Sequence, residues 1–307
     1  MHDLIIIGGG PAGVAAGVYA ARKQLKTLLI TKNFGGQSIS SLGIENWIGE
    51  IKISGFELAQ KLENHLVSSA GKFVYIKKGE NVTKIIKNKD GFIVHTNSES
   101  FQTKTILITS GSERRKLIGV KNADKFEHKG LTYCATCDGP LFKDQVVAVI
   151  GGGNSAIESA MQLLAYTKKV YLIHRKDNFR ADPITVNAIK NNSKLEIIFD
   201  SEVKEIIGDK MVNGVVLKNI KTDKESVIDV SGIFAEIGSE PGTDFIGDIV
   251  ELTPEKTIKI DPWTGKTSTE GIWAAGDVTN IKYHQNNIAA GNAITAIEDI
   301  YTYIKSR

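Results

Sequence analysis

The chain has 307 residues, 41% of them hydrophobic and 24% charged, with a formal net charge of +3. That length suggests two domains of ordinary size, the composition is that of a soluble globular protein, and the small, scattered excess of lysine makes no case for a nucleic-acid or membrane partner. No apolar run reaches spanning length, the first residues run into a strand without a basic-then-apolar leader, and two closely spaced cysteines fit a reducing compartment, so a cytoplasmic location is expected.

Leu4-Ile5-Ile6-Ile7 is a continuous apolar run, as in a strand buried on both faces. Gly8-Gly9-Gly10-Pro11-Ala12-Gly13 follows at once and opens an alanine-rich helix from Val14 to Lys23. Strand, G-x-G-x-x-G and helix in that order form a dinucleotide-binding unit. The first glycine permits a tight turn, the second lets the backbone approach a pyrophosphate, and the third lets helix and strand pack closely. Thr27 to Thr31 reads as the second strand, and it ends in Thr31-Lys32 where a usual dinucleotide site carries an acid for the ribose. Gly35-Gly36-Gln37 and Glu45-Asn46-Trp47 are candidates to approach a flat ligand, with ordinary surface loops as the plain alternative. A helix is expected over Gly55 to Ser69. A small antiparallel meander is expected over Asn81 to Lys87, Gly91 to Thr96 and Ser100 to Lys104, followed by a buried strand from Thr105 to Ser112. Gly111 lies at the small-residue end of that strand.

Glu113-Arg114-Arg115-Lys116 is a polar crossing and a candidate linker. Beyond it, Tyr133-Cys134-Ala135-Thr136-Cys137-Asp138-Gly139 holds both cysteines at C-x-x-C spacing. Such spacing suits a redox pair in which one thiol attacks a partner disulfide and the other resolves it. Asp138 is placed to move a proton to or from the pair. Half of a zinc site, or two inert thiols, is the plain alternative; no second cysteine pair or zinc-type histidine pair accompanies it.

Val146 to Ile150 then repeats the opening strand, Gly151-Gly152-Gly153-Asn154-Ser155-Ala156 repeats the glycine loop, and a helix follows from Ile157 to Ala165. This internal repeat defines a second dinucleotide-binding unit. Its next strand, Val170 to Ile173, ends in His174-Arg175-Lys176-Asp177-Asn178-Phe179-Arg180, where ribose identity is read. Cations there match the 2′-phosphate of NADP, whereas a carboxylate would favour NAD; a solvated basic turn is the alternative. Leu195 to Ile207, Met211 to Ile220, Ser226 to Val230 and Gly232 to Gly238 read as strands. Ser239 to Thr243 is a second candidate linker. Gly271 to Val278 precedes a helical tail from Asn286 to Lys305, and Asp277 is either a ligand for a sugar hydroxyl or a helix cap.

Taken together, Gly8 to Gly13, Gly35 to Gln37, Glu45 to Trp47, Tyr133 to Gly139, Gly151 to Ala156, His174 to Ala181, Ile237 to Thr243 and Ala274 to Gln285 resemble the low-molecular-weight thioredoxin reductases, in order and over nearly the whole chain. The resemblance implies an α/β fold of two Rossmann-like, three-layer ββα domains. An FAD domain (1–114 and 243–307) would be interrupted by an inserted NADPH domain (115–242) that carries the redox pair. It implies FAD contacts from Gly8, Gly10, Ala12, Gly13, Thr31, Gly36, Gln37, Asn46, Gly111, Asp277 and Gln285. It implies NADPH contacts from Gly152, Asn154, Ser155, His174, Arg175, Lys176 and Arg180, and catalysis by Cys134, Cys137 and Asp138. The chain departs from many members at Lys176 and His284, where they carry Arg; Lys keeps the charge but loses the planar fork. The implied reaction carries electrons from NADPH through FAD and the Cys134–Cys137 disulfide to a thioredoxin-like dithiol protein. A homodimer, and rotation of one domain against the other about the two linkers, are implied with it. The alternatives are a related enzyme using NADH or ferredoxin as donor, one serving a peroxidase system or a small disulfide, and a flavin-binding redox sensor.

Overall fold

The computed structural model describes every residue except Leu42, and every side chain except those of Ser40, Thr136 and Cys137 as well. The chain forms two compact units, Met1–Glu113 with Glu240–Arg307, and Arg114–Ser239.

The first unit is built on a seven-stranded sheet. Its order is Val74–Lys78, Thr27–Phe34, His2–Gly9, Ser100–Ile108, Gly91–Thr96 and Val82–Asn88, with Ile272–Ala274 also pairing to Ser100–Ile108. The opening run is apolar at every position because both faces are covered. Leu4 and Ile6 face a cluster with Leu29, Leu107, Trp273 and Ile297, and Ile5 and Ile7 face one with Ile30, Ile108, Phe92 and Ile258. Burial of each such side chain contributes about 1.5–3 kcal/mol. The Pro11–Arg22 helix begins with Pro11, whose missing N–H is harmless at that position and whose φ is already helical. The Gly55–Ala70 helix starts in a capping box: Glu57 N–H donates to Ser54 Oγ at 3.2 Å, and Ser54 N–H donates to the Glu57 carboxylate at 3.1 Å.

The two segments that the sequence divides at Lys104 form one strand, Ser100–Ile108. Its outer half pairs antiparallel with Gly91–Thr96 and its inner half parallel with His2–Gly9 and Ile272–Ala274. Thr103 faces both Phe92 and His2, so the meander is continuous with the parallel sheet.

The second unit holds a five-stranded sheet in the order Leu195–Ile198, Lys169–Ile173, Val146–Ile150, Gly232–Ala235 and Leu131–Thr132, with every pair parallel. One face packs on the Asn154–Leu164 helix through Val147, Val149, Ile157 and Leu163. The other packs on a separate antiparallel sheet of Ser201–Gly208, Val212–Asn219 and Glu225–Asp229 through Ala148, Ile150, Ile206 and Leu217. The result is three layers: sheet, sheet and helix. The single strand expected over Leu195 to Ile207 is broken at Asp200, whose φ of +53° lies in the left-handed region. That break sends Leu195–Ile198 into one sheet and Ser201–Gly208 into the other. The Pro183–Ile189 helix was not legible in the sequence pattern; Asp182 caps it by accepting Ile184 N–H at 2.9 Å.

Candidate active site

The first glycine loop needs its glycines for packing. A Cβ on Gly8, which has φ +118°, would lie 2.3 Å from Thr109 O, and one on Gly13 would lie 1.9 Å from Gly8 O. Gly10 and Gly36 face one another, with a Gly36 Cβ reaching Gly10 Cα at 3.5 Å, and Gly35 N–H donates to Gly9 O at 3.0 Å. The two loops therefore meet as bare backbone. No side chain among the described residues caps the helix that follows, so its first N–H groups stand open, as an anion site requires. Gly276 reaches the same place: a Cβ there would come 3.3 Å from Ala12 Cβ. Its neighbour Asp277 is half-buried, and burial raises its pKa against the opposing pull of His284. Its carboxylate makes no hydrogen bond or ion pair among the described residues. A bare-backbone cradle beside an unpartnered carboxylate fits a dinucleotide with a sugar-like chain.

Asn46 and Gln285 are brought together, with Asn46 Nδ2 donating to Gln285 Oε1 at 2.9 Å and Asn287 Nδ2 donating to Asn46 O at 2.7 Å. Gln37 Nε2 donates to Ser112 O at 2.7 Å. Gly111, at φ +65°, faces open space. Thr31 is 5% exposed, donates its hydroxyl to Asn33 O at 2.6 Å, and fills the space where a Gly9 Cβ would sit. It supports the loop from beneath.

In the second unit, a Cβ on Gly151 would lie 2.2 Å from Glu236 O, while Gly153 opens onto free space. Asn154 and Ser155 are exposed at the helix start, where Asn154 Oδ1 accepts Asp182 N–H at 2.8 Å. Arg175, Lys176 and Arg180 are exposed, and none of their charged heads forms a salt bridge among the described residues. This set fits a phosphorylated dinucleotide. His174 is different. It is 6% exposed, stacks on Phe179 with centroids 5.8 Å apart, and its ring atoms lie 2.3–2.5 Å from where a Gly152 Cβ would be. Burial, then the charge of Arg180, lowers its pKa. It props the loop from behind.

The redox turn follows the short Leu131–Thr132 strand. Cys134 is disulfide-bonded; the Cys137 side chain, expected as its redox partner, lies outside the described residues. Three consecutive carbonyls of the turn are pinned. Arg114 donates to Tyr133 O, Asp138 N–H donates to Cys134 O at 3.1 Å, and Gln162 Nε2 donates to Ala135 O at 3.3 Å. Arg114 also pairs with the buried Glu236 carboxylate at 2.7 Å, which accepts Ser159 Oγ–H at 2.8 Å. Burial raises the Glu236 pKa, and Arg114 opposes that shift. The Asp138 carboxylate accepts from the Thr132 hydroxyl. Thr132, Gln162, Arg114 and Glu236 escaped sequence reasoning. Gln162 lies eight residues along the helix from Asn154, a spacing that pointed only to a shared face. Among the described residues, no cluster of three His, Cys, Asp or Glu could hold a metal ion, and no helix is long and apolar enough to cross a membrane.

Two glycine loops at the carboxyl ends of parallel strands, with a disulfide in the second unit, define a flavin- and nucleotide-type oxidoreductase scaffold. The chain belongs to the pyridine nucleotide-disulphide oxidoreductase family, whose model matches residues 2–293, and within it to the low-molecular-weight thioredoxin reductases. The crystal structure of Lactococcus lactis thioredoxin reductase superposes with a TM-score of 0.94 at 34% identity, covering 100% of both chains. Thioredoxin reductase of Mycoplasma pneumoniae is 36% identical over 306 residues, 97% of this chain and 93% of its own. One component of the alkyl hydroperoxide reductase of Xanthomonas campestris pv. phaseoli is 35% identical over 98% of this chain, which spans 57% of the length of that relative.

Proposed function

We propose that the chain is a thioredoxin-disulfide reductase that draws electrons from NADPH through FAD. The observation that carries this reading is the disulfide-bonded Cys134, in the same unit as a glycine loop flanked by three cations without a salt bridge among the described residues. When bound, the nicotinamide would supply a hydride and the flavin would hand its electron pair to the disulfide. Gly8, Gly10, Gly13 and Gly36 would admit the FAD pyrophosphate to the backbone, and Asp277, Asn46 and Gln285 would hold its polar chain. Gly152, Asn154 and Ser155 would hold the NADPH pyrophosphate, and Arg175, Lys176 and Arg180 its 2′-phosphate. Cys137, the chain's one other cysteine, is the proposed disulfide partner of Cys134, and Asp138 holds the proton exchanged with the leaving thiolate. The resulting dithiol closes again to a disulfide as a thioredoxin-like protein's disulfide opens to two thiols.

The test is anaerobic titration of the bound flavin with NADPH and with NADH, followed by NADPH-driven thioredoxin reduction. NADPH should bleach the flavin at lower concentration than NADH, and Cys134→Ser should abolish thioredoxin reduction. A flavin untouched by NADPH, or a fully active Cys134→Ser, refutes the reading. A second acceptor is favoured by the 35% identity to a component of an alkyl hydroperoxide reductase. A peroxidase-system protein assayed beside thioredoxin separates the two, and sedimentation tests the proposed homodimer.

A further inference from the structure

We infer that Thr132 is a positioning residue for Asp138, fixing the proton-exchanging carboxylate to the backbone of Cys134. The inference rests on the reading of the Cys134 disulfide as redox-active. Thr132 ends the short strand Leu131–Thr132, which pairs parallel with Ile233 and Phe234, so its backbone is set by the central sheet. Its side chain is inside the unit, with the residue 6% exposed. A hydroxyl has one hydrogen, and here it goes to Asp138 Oδ2. The Thr132 hydroxyl oxygen in turn accepts Cys134 N–H at 3.3 Å, and Asp138 N–H donates to Cys134 O at 3.1 Å. Residues 132, 134 and 138 thus close a ring of three hydrogen bonds through both backbone groups of Cys134. One carboxylate oxygen is committed to Thr132. The other, Oδ1, has no partner among the described residues and is the one left to exchange a proton. Sequence adjacency leaves the Asp138 side chain free to choose among rotamers; the Thr132 hydroxyl selects one. The alternative is a side chain that only stabilises the turn, a common use of threonine.

The two roles separate in experiment. The first readout needs no flavin: reduction of the Cys134 disulfide by dithiothreitol, quenched and read by thiol labelling and mass. A dithiothreitol thiolate attacks one sulfur and the protein S–S bond breaks. The leaving thiolate takes its proton from the Asp138 carboxyl. The second reagent thiol then breaks the mixed disulfide and closes to cyclic oxidised dithiothreitol, its proton passing to the released protein sulfur, so that the protein is left as a dithiol and the Asp138 carboxylate takes its proton back from water. Thr132→Val should slow this about 10-fold, and Thr132→Ser, which keeps the hydroxyl, should stay within about 2-fold of the parent. Thr132→Ala should match the valine variant and serves where valine disturbs folding. In an Asp138→Asn background, Thr132→Val should change the rate by less than about 2-fold, because the group it positions is gone. A valine variant at the parental rate, or one equally slow in both backgrounds, overturns the inference. The second readout is anaerobic stopped flow on the flavin-loaded protein, where Thr132→Val should slow only the flavin-to-disulfide step. Equal slowing of nucleotide-to-flavin transfer marks a merely structural role and also overturns it. If the parental disulfide exchanges as described but never accepts electrons from the flavin, the proposed function fails while the positioning role of Thr132 stands.

Discussion

Replacing Arg114 with methionine should destabilise the second unit by an amount that grows with pH. Methionine keeps most of the length and removes the charge, so the Glu236 carboxylate loses its cation and, among the described residues, keeps the Ser159 hydroxyl. The Glu236 side chain is 4% exposed and that of Arg114 26%. Removing one partner of a fully buried pair costs about 3–5 kcal/mol. The partial exposure of Arg114 and the surviving Ser159 bond bring the expectation here to about 2–3 kcal/mol. For a unit of this size that is a fall in Tm of about 8–12 °C. Burial already raises the Glu236 pKa above the usual carboxylate value, and loss of Arg114 removes the main opposing influence. A raised carboxyl binds its proton more tightly folded than unfolded. Its contribution is therefore fully present below the unfolded pKa and is lost as pH rises through the folded one. Loss of Arg114 moves that folded value further up and widens the window. The variant should thus trail the parent by the smaller margin at pH 4.5, where only the bond to Tyr133 O is missed, and fall progressively further behind towards pH 8. Thermal unfolding of the flavin-loaded proteins by circular dichroism, at several pH values, measures this. A Tm difference that is the same at pH 4.5 and pH 8, or absent at pH 8, would show that the pair does not hold the unit together.

Gly152→Ala should overpack the His174 ring, at a cost of about 1–3 kcal/mol, and weaken pyridine nucleotide binding, which calorimetric titration would register. His174→Gln should flatten the acid side of the stability curve. The folded pKa of His174 is depressed, so its contribution is present above its usual value and lost as pH falls through the folded one, and urea midpoints between pH 5 and 7 test this. Lys176→Glu should reduce NADPH preference over NADH roughly 10–100-fold, the worth of a charge-assisted contact to phosphate, read from the ratio of kcat/KM values.

What could be read from the sequence was local. Each glycine loop announces itself because strand, turn and helix start are consecutive, and the close approach at Gly13 is made to Gly8 of the same loop, whereas those at Gly8 and Gly151 are made to Thr109 and Glu236, just beyond the neighbouring strands of the sheet. The apolar run Leu4 to Ile7 revealed two covered faces because its side chains alternate between them. Contacts made by the fold were not legible. Arg114 reads as one charge in a polar linker, yet it joins Tyr133 to Glu236 over 19 and 122 residues of separation. Glu236 itself looks like an oddity in an apolar strand. His174 and Thr31 have polar side chains at ribose-reading positions, and both are buried under the glycine loops. Residue type alone does not tell a group that meets a ligand from one that supports the backbone meeting it. The break at Asp200 was hidden for a related reason: the apolar pattern continues across it while the backbone turns.

The Asn154–Leu164 helix carries the last step. Its first residues stand at the second glycine loop, and its Gln162 holds Ala135 in the redox turn. Eight residues of α-helix span about 12 Å. The proposed nicotinamide site and the disulfide are thus fixed on one packed body, the turn further clamped by Arg114 and Asp138. Side-chain motion does not close a gap of that size. Yet in the proposed reaction one flavin, held by the other unit, must receive a hydride from the first and deliver electrons to the second. We therefore propose that turnover involves a change in the mutual orientation of the units between half-reactions, about the two crossings where the chain passes between them, Glu113–Arg114 and Ser239–Glu240. A covalent crosslink between the units should leave at most one half-reaction working and stop steady-state reduction of the protein acceptor. Stopped-flow measurement of each half-reaction, beside steady-state turnover in a fully crosslinked sample, decides the matter. Undiminished turnover would require electrons to reach the disulfide without reorientation, and the rotation proposal would be abandoned.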